Sequence, residues 1–124
     1  MSLIEVLLAL LIFSLGMLGT VGMQALAVKN SVDAEDRSRA ALMANEIVSQ
    51  MWMAKTLSLP TATTDAWVAR LQNQQVSGLP NATGTTGTAI VDGVLVSTVT
   101  ITWRSPARRS TDPLATYITQ VAMP

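Results

Sequence analysis

Hydrophobic positions fall into distinct regimes along the 124-residue chain, and each regime predicts a different kind of element. From Val6 to Val28 the run is apolar apart from Ser14, Gly16, Gly19, Thr20, Gly22 and Gln24, none of them charged. These 23 residues, at ~1.5 Å rise each, make a helix of ~35 Å, enough to cross a hydrocarbon core of ~30 Å. Beyond Lys29 the pattern turns amphipathic. Ala40, Ala44, Ile47, Met51 and Ala54 recur at steps of three and four, flanked by Leu42, Met43, Val48 and Trp52. No proline precedes Pro60, so a single helix of ~55 residues and ~80 Å is predicted, all-apolar in its first half and one-faced in its second. It should stop before Pro60, which also pushes Leu59 out of helical geometry.

After Pro60 the elements shorten. Thr64 or Asp65 is placed to cap a second helix with Trp67, Val68 and Leu71 on one face, ended by Gly78-Leu79-Pro80. Asn81 to Gly87 reads as a loop. Thr88–Val91, the Asp92-Gly93 pair and Val94 onward form a hairpin signal, because Asp-Gly suits a type I′ turn. In the second strand Leu95, Val99, Ile101 and Trp103 share a parity and are expected to face the long helix. Ser105-Pro106 closes that strand, and Ala115–Met123 is a third β run. The predicted fold class is α+β: a long N-terminal helix packed on an antiparallel sheet of about three strands. Residues 1–28 are expected to form a membrane segment and residues 29–124 a head.

Composition narrows the chemistry. Cysteine and histidine are both absent, which removes thiolate staples, the commonest general base and the commonest metal ligand. With neither a phosphate-binding loop nor a cation-loop spacing in the sequence, an enzyme is not expected, nor a cofactor or metal. Eight acidic residues balance eight basic ones, so there is no global nucleic-acid signature. The N-terminal run lacks the basic start and short apolar core of a cleaved secretory signal, and is read as a retained membrane helix.

Glu5 stands at the head of the apolar run, where a charge must reach the interface or find a partner. Gly16, Gly19 and Gly22, at i, i+3 and i+6, are read as sites of close helix approach or of local melting, since each costs ~1 kcal/mol of helix propensity relative to Ala. Asp33–Arg37 and Glu35–Arg39 are spaced to pair along the helix. Ala40 to Ala54 with Trp52 is first a core face, and Trp67 and Trp103 are core residues. Arg104, Arg108 and Arg109 are first solvated loop charge; contact with an acidic face of a partner is the functional alternative.

Ser2-Leu3-Ile4-Glu5-Val6-Leu7-Leu8-Ala9-Leu10 resembles the processed N-terminus of the type IV pilins. Ser14-Leu15-Gly16-Met17-Leu18-Gly19, Gly22-Met23-Gln24, Arg39 to Ile47 and Val99-Thr100-Ile101-Thr102-Trp103 are similar to minor pilins of the type IV pilus modification family. The resemblance implies a pilin-like fold and a basic leader removed by a prepilin peptidase. It also implies N-methylation of the new terminus, here Met1 where the family has Phe. Glu5 would then pair with the terminal amine of a neighbouring subunit during assembly. A minor pilin that primes or caps a type IV pilus is the expected function. It would reside in the bacterial inner membrane with a cytoplasmic N-terminus, and then in the extracellular filament or its tip. Other minor pilins, the major pilin and a tip adhesin are the implied partners. A type II secretion minor pseudopilin and a DNA-uptake pilin are the alternatives.

Overall fold

A computed structural model describes residues 2–124. Among the described residues the order is α1 (Leu3–Ala54), α2 (Thr61–Gln72), α3 (Gln74–Ser77), β1 (Thr83–Val91), β2 (Val94–Trp103) and β3 (Ala115–Ala122). The chain divides into two compact units, residues 1–32 and 33–124, with the boundary inside α1. The α+β class with a long apolar N-terminal helix and a small antiparallel sheet is therefore observed.

In residues 33–124 the predicted stripe does its work. Ala40, Ala44, Ile47 and Met51 are fully buried and share one core with Trp67, Leu71, Leu79, Val99, Ile101 and Trp103. Small residues at 40 and 44 let the helix lie close to its neighbours, and the two indoles supply most of the bulk. The last position of the stripe departs from expectation, for Ala54 is exposed. Trp52 is also 51 % exposed and lies outside the core.

The long helix ends at Ala54, well short of Pro60, because a local motif stops it first. Lys55 takes a left-handed φ of 52°. Its N–H donates to the Trp52 carbonyl at 3.3 Å, and the Thr56 N–H donates to the Met51 carbonyl at 3.1 Å. This pair of bonds is a Schellman cap, a position that favours glycine. Lys55→Gly should accordingly raise head stability by about 0.5–1 kcal/mol, read as a shift in the thermal or urea midpoint.

Three further expectations are corrected. Neither Thr64 nor Asp65 caps α2; it begins at Thr61 behind Pro60, whose fixed φ of −55° leads into the helix. It ends at Gln72, and Asn73 starts the one-turn α3 by accepting from the Gln75 N–H at 3.1 Å, with left-handed Gly78 closing it. The segment read as a loop, Asn81 to Gly87, is largely strand, since β1 starts at Thr83.

The sheet order is β1-β2-β3, each strand antiparallel to its chain neighbour. Asp92 and Gly93 have φ of 51° and 81°, as a type I′ turn requires, and Val91 pairs with Val94 across them. Val99, Ile101 and Trp103 are buried as their parity predicts, while Leu95 is 50 % exposed. It sits one rung from the turn, opposite Ile90, where the hairpin has run past the core. None of the three strands carries a charged residue.

Candidate assembly segment and the buried acid of the head

The N-terminal unit is one helix with no internal contact surface to bury. Ser2 through Ser31 are exposed, among them Leu3, Ile4, Phe13 and Met23. α1 is long and apolar enough to cross a membrane. Apolar surface of this extent marks contact with lipid or with other apolar helices. The two hydroxyls within it are satisfied locally: Ser14 Oγ donates to the Leu10 carbonyl at 2.7 Å and Thr20 Oγ1 to the Met17 carbonyl at 2.8 Å. Such back-bonding lets a hydroxyl enter a medium that offers no water.

Glu5 lies in the first turn of α1. Its N–H approaches Ser2 Oγ at 3.4 Å and the Ser2 carbonyl at 3.1 Å, which makes Ser2 the N-cap and Glu5 the third helical residue. The helix dipole favours a carboxylate there. Sequence reasoning passed over Ser2, although Ser-x-x-Glu before an apolar run is a capping-box signal. Met1, the expected amine and methylation site, lies outside the described residues. The helix runs unbroken through Gly16, Gly19 and Gly22, and a Cβ at any of them would meet nothing within 4 Å. Among the described residues no contact uses their missing side chains.

The head holds one acid that sequence reasoning missed. Asp36 is 4 % exposed and extends the buried stripe one turn back from Ala40, a spacing visible in the sequence. Its Oδ2 and the Trp103 indole N–H are both sealed from solvent without a hydrogen-bond partner. Burial pushes the Asp36 carboxyl above the ordinary aspartate range; Arg39 and Trp103 pull it down, and the like charges of Asp33 and Glu35 push it up.

Nearby pairs differ from the predicted set. Arg39 pairs with Glu35 at 2.5 Å as expected, and also donates to the Gly78 carbonyl at 2.9 Å. Asp33 does not take Arg37; its Oδ1 accepts from Ser105 Oγ at 2.6 Å, tying α1 to the end of β2. An unpredicted pair joins Arg70 of α2 to Glu46 of α1.

The three arginines split in role. Arg104 Nη1 donates to the Asp112 carbonyl at 2.8 Å, closing its own loop, and its backbone N–H donates to the Pro80 carbonyl at 3.0 Å, tying the loop to the segment before β1. Arg108 and Arg109 are exposed. Among the described residues there is no group of three acids, histidines or cysteines placed to hold a metal. No known protein family, curated protein or solved structure matches the chain.

Proposed function

We propose that this chain is a PilV-like minor pilin, a structural subunit with a pilin-like fold that primes or caps a type IV pilus. The observation that carries the reading is α1 itself. One helix, Leu3–Ala54, presents an uncharged apolar surface behind Glu5 and then supplies the core stripe of a small antiparallel head. An element of that kind can be stored in lipid and later buried among like helices, since both settings satisfy the same apolar surface. The three glycines support the reading, because helices that pack together use small residues and none of the described residues approaches Gly16, Gly19 or Gly22. On this reading prepilin peptidase matures the precursor and methylates the terminal amine. The subunit then waits in the inner membrane until it joins other minor pilins, the major pilin and a tip adhesin.

The test is where the chain goes in a piliated host. Tagged protein should appear in the filament fraction sheared from the cell surface as well as in the inner membrane. Retention solely in the membrane, in complex with secretion pseudopilins, would replace this reading with a GspI-like subunit of type II secretion. The exposed Arg108 and Arg109 keep one further alternative, a DNA-uptake pilin. Two arginines without interleaved aromatics make a weak nucleic-acid site, so no binding to short duplex DNA is expected even at low salt. Salt-dependent binding lost in Arg108→Ala with Arg109→Ala would favour uptake.

A further inference from the structure

β1 pairs with β2 along one side and is an edge of the sheet along the other. Val91 and Val94 flank the two-residue turn and exchange both backbone hydrogen bonds across it, as strands joined by such a turn do. Alternation from that pair turns the N–H and C=O groups of Thr86, Thr88 and Ile90 outward, away from β2. Among the described residues, no backbone hydrogen bond outside the sheet reaches β1. Gly87 to Ile90 are exposed and Thr86 is half-buried, whereas Gly84 farther back lies beneath α2.

A groove lies beside this stretch. Thr86 and Thr88 line it on the strand side; Leu57, Ser58 and Leu59 of the α1–α2 connection and Thr64 of α2 line it opposite. The two threonines project toward the helices, since Gly84, two residues back, faces Trp67 and Leu71. Hydroxyl and aliphatic groups make up the lining, and no charged residue belongs to it.

We propose that the Thr86–Ile90 edge of β1 accepts an extended segment of a partner protein as a fourth, antiparallel strand, with an uncharged side chain of that segment seated in the groove. Main-chain chemistry names the occupant. Outward N–H and C=O groups that recur every ~6.8 Å along an edge are matched in full by another extended backbone. Charge matching narrows the segment. Neither β1 nor the groove carries a charge, so an ionised side chain entering there would give up water without gaining a counter-ion. A residue paired directly with Thr86 or Thr88 points to the same side of the sheet, into the groove, which favours a small neutral side chain such as threonine or valine there. The site is built from residues of the head alone and does not depend on how the apolar half of α1 is used.

The experiment uses the full chain in detergent and a defined probe, a short peptide of alternating valine and threonine with a lysine at each end. Amide hydrogen exchange is followed residue by residue. At saturation the peptide should slow exchange at Thr86, Thr88 and Ile90 by about tenfold, the effect of an added hydrogen bond of ordinary net strength, and leave the amides of β3 unchanged. Thr88→Pro removes one outward donor and no bond to β2, and should weaken peptide binding about tenfold. Should Thr88→Pro fail to fold, the same peptide with every amide N-methylated takes its place against wild type, and it should not bind. Exchange unaltered at the three amides, or slowed at β3 instead, overturns the proposal. So does unchanged affinity of Thr88→Pro or of the N-methylated peptide. Slowing that grows with protein concentration in the absence of peptide would make a second copy the occupant, and overturns it as well.

Discussion

Gly84→Ala should cost the head about 3 kcal/mol, at the upper end of what overpacking a core does. A Cβ built at Gly84 would lie 2.5 Å from Trp67 Cη2 and 2.6 Å from Leu71 Cδ1, closer than any real contact allows. The obstructing atoms cannot swing aside. Trp67 is fully buried and its indole N–H is held by the Met43 carbonyl at 2.9 Å. Leu71 is fully buried beside it. Urea unfolding should show the loss as a lower midpoint with an unchanged slope. A double-mutant cycle with Trp67→Phe tests the cause: the smaller ring removes the indole's share of the obstruction and leaves that of Leu71, so the two losses should combine to less than their sum. Strict additivity would mean that room for the Trp67 indole is not what Gly84 provides.

Glu5→Ala should leave membrane insertion intact and lower filament incorporation by about 100-fold. In the proposed assembly the variant strands a neighbour's amine in an apolar environment, and breaking a buried pair from one side costs about 3 kcal/mol. Insertion should hold or improve, because an acid is being removed from the edge of an apolar helix. Glu5→Gln separates pairing from capping. As a capping-box residue glutamine serves nearly as well as glutamate, and the dipole alone is worth about 0.3–1 kcal/mol. Pairing requires the charge. Near-normal incorporation of Glu5→Gln would make Glu5 a helix-start residue and remove the ion pair from the proposal.

Periodicity carried most of the head. The stripe from Ala40 to Met51, the Asp92-Gly93 turn and the inward parity of Val99, Ile101 and Trp103 were legible because each is a local pattern imposed by one face of one element. The start of β1 was not. Thr83, Gly84, Thr85, Thr86 and Gly87 have turn-like composition, yet they pair with β2, and Gly84 suits its place in the strand because Trp67 and Leu71 of α2 fill the space where a side chain would stand. That contact is tertiary and leaves no trace in spacing. The helix end was hidden for a related reason: Lys55 occupies a left-handed cap that glycine usually marks. Within the candidate site Glu5 and the glycines were visible as departures from an apolar run. Asp36 was present in the stripe and passed over, since an aspartate at a core position reads as the polar end of an amphipathic helix until its burial is seen.

The charge-free strands set how the head tolerates crowding. β1 and β3 are the two edges of the sheet, and they carry no lysine, no proline and no bulge in their pairing with β2. Those are the devices by which soluble proteins turn away an incoming strand. A partly opened head offers two uncharged templates of eight or nine residues to its neighbours, so its route to loss at high concentration is edge-to-edge aggregation.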